Sequence, residues 1–298
     1  MDTIKHILVP SDFSQHAEQA ALHAMAVASR FGAKITFLHI VTVYDNDPNA
    51  PQDFFPDIEN FYKQLETRAD EKFQQTIATY VQQGLQTERV IQRGFSPYEE
   101  ILTYAEEHAV DLIAMGTHGR KSFAHFLMGS VTEKIVHHAA CPVLCTHIDE
   151  QEPQPIKPYE RILVPVDFSE QSKRALRAAK LLLAENGRLD LLHVIEDHIH
   201  PAYYTSETHS LLEFLPNLHE RAESSIQRMV QDYASDIKTE ITIADGHIAK
   251  AITNFVPEHN SDLIVMGTHG LNALEQIFIG SVANKVIRKA SCPVMTVK

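Results

Sequence analysis

The sequence predicts an α/β protein built from two tandem copies of one domain, each a parallel β-sheet covered by helices on both faces. Three observations carry this. Short apolar runs of β type alternate with helix-length amphipathic stretches, the order from which parallel sheets are made. The block Ile7-Leu8-Val9-Pro10-Ser11-Asp12-Phe13-Ser14 is answered by Ile162-Leu163-Val164-Pro165-Val166-Asp167-Phe168-Ser169, and Leu38-His39-Ile40 by Leu192-His193-Val194. Finally, Gly116-Thr117-His118-Gly119 leads to Gly129-Ser130-Val131 as Gly267-Thr268-His269-Gly270 leads to Gly280-Ser281-Val282, both reading G-x2-G-x9-G-S.

In the first half, strands are expected near 5–9, 34–41, 87–92, 111–115 and 142–147, with helices near 14–31, 58–83, 97–108 and 130–139. Local signals agree with those limits. Ser14 can cap the first helix and Gly32 can end it, while Ser96-Pro97 is a cap residue followed by proline at the first helical position. The fourth strand, Asp111-Leu112-Ile113-Ala114-Met115, has its twin in Asp262-Leu263-Ile264-Val265-Met266, and each copy closes on Cys-Pro-Val at Cys141 and Cys292. The second half repeats the order from about 161–165 to 293–297. It departs from the first between Glu196 and Pro216, where His198, His200, Pro201, Tyr203 and Tyr204 predict a surface excursion over the cleft. Pro153, Pro155 and Pro158, mixed with Asp149, Glu150 and Glu152, suit an extended linker. The domains are therefore placed at 1–148 and 159–298, joined by 149–158.

At 298 residues each half is large enough for its own core. Lys plus Arg number 26 against 39 Asp plus Glu, and a net charge of −13 argues against the phosphate-backbone footprint of a nucleic-acid binder. An acidic chain can still hold one small anion, because backbone amides or a bound cation supply local positive potential. No apolar run approaches the ~20 residues of a membrane span, and the N-terminus enters Lys5-His6-Ile7-Leu8-Val9 without a secretory pattern. The odd cysteine set, Cys141, Cys145 and Cys292, fits a reduced cytoplasmic protein.

The glycine constellations point to chemistry. Glycine lets a backbone approach a ligand closely, and N–H groups at a helix start favour an anion, so each G-x2-G-x9-G-S segment is a candidate phosphate cradle. Taken together, V-P-x-D-F-S, L-H-[I/V] and G-x2-G-x9-G-S, in that order in each half, resemble the universal stress protein family in its tandem two-domain form, over nearly the whole chain. The resemblance implies open five-stranded parallel sheets of strand order 3-2-1-4-5, of the adenine nucleotide alpha hydrolase-like kind. A crevice then opens where the order reverses, between strands 1 and 4.

In ATP-binding members of that family, the residue matching Ile40 hydrogen-bonds the adenine edge through its main chain, and residues matching Asp12 and Gly116 hold the ribose. Those matching Gly119, Gly129, Ser130, Val131 and Thr132 surround the phosphates, and Pro10, Ser11, Met115 and His118 complete the expected nucleotide-binding set. In the second half the matching residues are Asp167, Val194, Gly267, Gly270, Gly280, Ser281 and Val282. The implied ligand is ATP with Mg2+. The halves differ: Ser11, Arg120 and Thr132 face Val166, Leu271 and Ala283, so the first half is expected to be the better phosphate site. The family also implies pairing through the last strands, Pro142–His147 and Pro293–Val297, as a pseudo-dimer within the chain, with a homodimer between chains and an unidentified protein partner as further associations.

Structural readings stand beside these. Asp12 and Asp167 can satisfy backbone donors at a helix start, Ser130 and Ser281 can cap the helix that follows, and the glycines can be turn residues without a ligand. His39 and His193 read as hydrogen-bonded strand-end residues. Among 18 histidines, His198-x-His200 and His137-His138 are the tempting metal pairs, but no Cys/His set of zinc-finger spacing accompanies them. There is no G-x-S-x-G elbow, no G-x4-G-K-[S/T] loop and no S-G-G-x-D-S loop, so the expected function is a nucleotide-responsive stress module with at most slow ATP hydrolysis and no assigned catalytic residue. The alternative is a structural or interaction protein that keeps the fold without a nucleotide.

Overall fold

A computed structural model describes residues 3–43, 58–81, 84–117, 128–147, 157–196, 217–269 and 280–298. The chain divides into two compact units, with the division between Lys157 and Pro158. In the first, the order is β1 (His6–Pro10), α1 (Gln15–Phe31), β2 (Lys34–Thr42), α2 (Ile58–Val81), β3 (Thr87–Gly94), α3 (Pro97–Glu107), β4 (Leu112–Gly116), α4 (Ser130–His138) and β5 (Val143–Thr146). In the second it is β6 (Tyr159–Pro165), α5 (Glu170–Leu182), β7 (Leu183–Ile195), α6 (Leu218–Tyr233), β8 (Lys238–Asp245), α7 (Ile248–His259), β9 (Leu263–Gly267), α8 (Ser281–Lys289) and β10 (Val294–Val297). Most of the linker 149–158 and the stretch containing His198 and His200 lie outside the described residues.

The first unit's strands run β3-β2-β1-β4-β5, all neighbours parallel. The second unit's run β8-β7-β6-β9-β10 in the same manner. Both have the reversal between the first and fourth strands that the resemblance implies. The central strands are buried on both faces, which is why they read as continuous apolar runs: Ile7, Leu8 and Val9 are fully buried, as are Leu112, Ile113 and Ala114. At the far end of that central pair, the Asp111 carboxylate accepts from the Lys5 and His6 backbone N–H groups, and Asp262 accepts from those of Glu160 and Arg161. Each aspartate opening a fourth strand thus ties it to the start of the first strand. Burial raises the Asp262 pKa, and these backbone donors pull against that shift.

Small residues let α1 lie close on the sheet: Ala17, Ala20, Ala21, Ala24 and Ala28 are all buried. The Ser14 hydroxyl accepts from Ala17 N–H at 3.3 Å at its start, and Gly32, with φ 66°, closes its end by donating to the Ala28 carbonyl. Ser169 does the same for α5 by accepting from Ser172 N–H at 3.1 Å. Ser96 stands at the N-cap of α3 ahead of Pro97, but its side chain makes no capping hydrogen bond. No disulfide joins the three cysteines, and burial pushes the Cys145 and Cys292 thiols up to about 12, which removes them as nucleophiles near neutral pH.

A buried histidine of the first unit has no histidine counterpart in the second. His23 on α1 is 5% exposed, where α5 carries Ala178, and burial pushes its imidazole down to about 4. Its folded pKa lies below the unfolded value, so its contribution to stability is complete above about pH 6.5 and is lost as pH falls toward 4. His23→Leu is therefore expected to shrink the stability difference between pH 7 and pH 4.5 by about 2 kcal/mol, measured by urea unfolding of the whole chain. An unchanged difference would remove His23 as an acid-sensitive element.

Candidate functional site

The crevice begins with a backbone turn that few residues tolerate. Phe13 has φ 61° and Phe168 has φ 67°, a left-handed conformation that is costly for a bulky side chain. Hydrogen bonds and ring contacts hold the first of these turns. The Asp12 Oδ1 accepts from Ser14 N–H at 3.0 Å, and the Ser11 Oγ accepts from Phe13 N–H at 3.1 Å. The Phe13 ring sits 4.6 Å from the His39 ring and 4.8 Å from Phe73. His39 Nδ1 lies 2.7 Å from the Ser11 carbonyl, so its proton sits there as a donor. The second copy repeats the plan, with Asp167 Oδ1 accepting from Ser169 N–H (3.0 Å) and Ser169 Oγ (2.6 Å), Phe168 4.7 Å from His193, and His193 Nδ1 2.7 Å from the Val166 carbonyl. His39 and His193 are thus turn-bracing residues, as their strand-end positions indicated.

Across the crevice, β4 ends at Gly116 and Thr117 takes over. Thr117 N–H donates to the Thr146 carbonyl at 3.0 Å, and its own carbonyl accepts from Gly129 N–H at 2.8 Å. Thr268 repeats both bonds, to Val297 at 3.1 Å and from Gly280 at 2.8 Å. The described residues on either side of the glycine segment are thereby tied to each other, and the helix that follows starts at a fixed place. Gly116 is demanded by packing: a Cβ there would lie 2.5 Å from His16 Cβ and 2.9 Å from the His16 backbone. At Gly280 a Cβ would press on the Thr268 carbonyl at 3.0 Å.

The expected site residues fall as follows. Pro10 ends β1, Ser11 and Asp12 form the turn, Ile40 lies on β2, and Met115 and Gly116 end β4. Gly129 is the N-cap of α4, and Ser130, Val131 and Thr132 make its first turn. His118, Gly119 and Arg120, like Gly270 and Leu271, lie outside the described residues. One expectation needs correction. Ser130 and Ser281 do not cap their helices: Gly129 and Gly280 occupy the N-cap, and the serines are the first helical residues. The Thr132 hydroxyl is engaged within the protein. It is buried, 4% exposed, and donates to the Gly116 carbonyl at 2.9 Å, which bolts α4 to the end of β4. Ala283, 2% exposed at the matching position, cannot make that bolt.

In the second unit Asp167, Val194, Gly267, Gly280, Ser281 and Val282 line one cavity of about 490 Å³, within the range of small-molecule sites. Its walls add residues the motifs did not single out: Ile248 and Ile252 at the start of α7, Met266 at the end of β9, and Ser172 on α5. Ile248 and Ile252 carried a signal, being spaced i, i+4 directly after the third strand of their unit, so that one helix face meets the crevice. His269 reaches the cavity from the glycine segment. Its N–H donates to Gln171 Oε1 at 2.8 Å, its Nδ1 is 2.9 Å from Thr268 Oγ1, and its buried Nε2 has no hydrogen-bond partner among the described residues. Among the described residues no three His, Cys, Asp or Glu converge to hold a metal ion, and no helix is long and apolar enough to cross a membrane.

The repeated strand-order reversal defines a duplicated open-sheet α/β protein, and in open sheets ligands are taken where the strand order reverses. The model of the universal stress protein family matches residues 3–147 and again 158–298, and the chain belongs to that family. Universal stress protein Slr1230 of Synechocystis is 25% identical over 98% of this chain and 99% of its own length, so it shares the tandem arrangement. Universal stress protein MJ0531 of Methanocaldococcus jannaschii is 35% identical over 47% of this chain and 82% of its own length. A universal stress protein crystal structure from Archaeoglobus fulgidus, 22% identical, superposes with a TM-score of 0.69 over 98% of both chains, a likeness of fold.

The packing makes two substitutions informative. Gly116→Ala is expected to destabilise by about 1–3 kcal/mol, because the His16 backbone cannot retreat. Thr132→Val is expected to cost about 1 kcal/mol by leaving the Gly116 carbonyl unpaired, with Thr132→Ser restoring most of it. Chemical denaturation of the three variants checks both, and wild-type midpoints would show that neither contact constrains the crevice.

Proposed function

We propose that this universal stress protein binds an adenine nucleotide in the crevice of its first domain and works as a nucleotide-responsive regulatory module in the cytoplasm. The observation that carries the reading is the juxtaposition at the strand reversal: the Asp12 carboxylate on one side, held by a strained turn, and the start of α4 at Gly129 on the other. A carboxylate accepts from sugar hydroxyls, and a helix start with exposed N–H groups attracts phosphate. The sequence between Thr117 and Gly129 includes the cationic residues Arg120 and Lys121. The residues present therefore fit ATP. Mg2+ enters the reading only as the companion of the phosphates. No described crevice residue is positioned as a base for an attacking water, which keeps hydrolysis slow at most.

A second reading has a specific observation in its favour. Asp12, Ser11, Gly116 and Thr132 each have a structural task that needs no ligand. A protein that acts by partner binding alone would keep them all.

The two readings separate cleanly. Protein purified without added nucleotide is expected to release an adenine nucleotide on denaturation, identified by chromatography and mass. Titrated ATP should give binding heat with wild type and at least tenfold weaker binding with Gly129→Glu, which sets a carboxylate at the helix start. No released nucleotide together with no wild-type heat would leave the partner-binding reading. Steady ATP turnover abolished by Asp12→Ala, with binding retained, would instead make the protein an enzyme.

A further inference from the structure

We infer that the crevice of the second domain is a site for a neutral nucleoside, adenosine in particular, and excludes the triphosphate; this rests on the adenine-binding reading of the fold. The cavity is of small-molecule size, about 490 Å³, and its character is set by what replaces polarity. Val166 stands where the first domain has Ser11, and Ile248 and Ile252 form the wall from α7. Among the described residues lining it there is no lysine or arginine, and the one carboxylate is Asp167.

The sequence between Thr268 and Gly280 continues the pattern. It contains no lysine or arginine and one acid, Glu275, whereas the matching segment of the first domain carries Arg120 and Lys121. A triphosphate placed here would bring several negative charges toward Asp167 with no lysine or arginine among the described lining residues to pair them, the described basic side chains there being the imidazoles of His193 and His269. The start of α8 offers only about half a positive charge against them. Burying charge without a partner is costly, and a like charge nearby adds to the cost. A nucleoside has no such penalty. Its base is apolar on both faces and suits the Val194, Ile248 and Ile252 walls, its sugar hydroxyls can donate to Asp167, and the 5′ hydroxyl needs one polar neighbour, which Ser281 supplies. The same lining that weakens a phosphate site therefore makes a selective one for the uncharged compound.

The test uses the full chain carrying Gly129→Glu, so that the first crevice is disabled, and isothermal titration with adenosine, ATP and ATP with Mg2+. Adenosine is expected to bind at least tenfold more tightly than either form of ATP. Ile248→Lys, which places a cation on the rim, should raise ATP affinity at least tenfold while moving adenosine little. Equal or tighter ATP binding, or no adenosine heat, overturns the inference. If the wild type binds ATP but the Gly129→Glu chain takes neither ligand, this inference alone is lost. Absence of heat from both chains with both ligands removes the adenine-binding reading as well.

Discussion

The left-handed turn at Phe13, with its copy at Phe168, is the constraint on which each domain's working face depends. A phenylalanine at positive φ is held only if its surroundings over-determine it. Here they do: a carboxylate and a hydroxyl cap the turn's backbone N–H groups in the first domain, the ring is clasped by a histidine, and that histidine is itself fixed to the carbonyl one step before the aspartate. The turn in turn decides where the aspartate sits and where the first helix begins. Because α1 starts at a set place, His16 presses on Gly116, and the end of the fourth strand has no latitude. From one strained residue, the geometry of the crevice propagates across two strands and a helix.

The opposite end of the same strand pair is secured by a different device. Asp111 and Asp262 reach back to the first strand of their sheets, so the central pair is pinned at both ends while its middle is fully buried. That rigidity suits a site whose parts lie on separate loops. Backbone groups placed by a sheet do not need to be ordered again when a ligand arrives.

Much of this was legible beforehand. Strands and helices of the first domain fall within a few residues of the limits that apolar runs, Ser14, Gly32 and Pro97 set, because buried parallel strands leave an unbroken apolar signature and helix ends leave chemical ones. The resemblance to the family put Asp167, Val194, Gly267, Gly280, Ser281 and Val282 in one set, and these six line one cavity. What escaped was direction. A sequence shows that Thr132 carries a hydroxyl, but whether it points to a phosphate or to the Gly116 carbonyl depends on how closely α4 packs on β4. Likewise Ser130 sits one residue too late to cap its helix, a displacement smaller than any pattern resolves. Ile248 and Ile252 belong to an ordinary amphipathic helix, and only the tertiary placement of its first turn makes them part of the crevice wall.

The Asp-Phe-Ser turn of the second domain shows what such economy means for sequence drift. Asp167 takes two hydrogen bonds from Ser169, and Ser169 caps α5, whether or not anything occupies the cavity beside them. Selection for a stable fold is enough to hold these residues in place. The motif therefore follows from how the chain must bend, independently of what the cavity beside it holds.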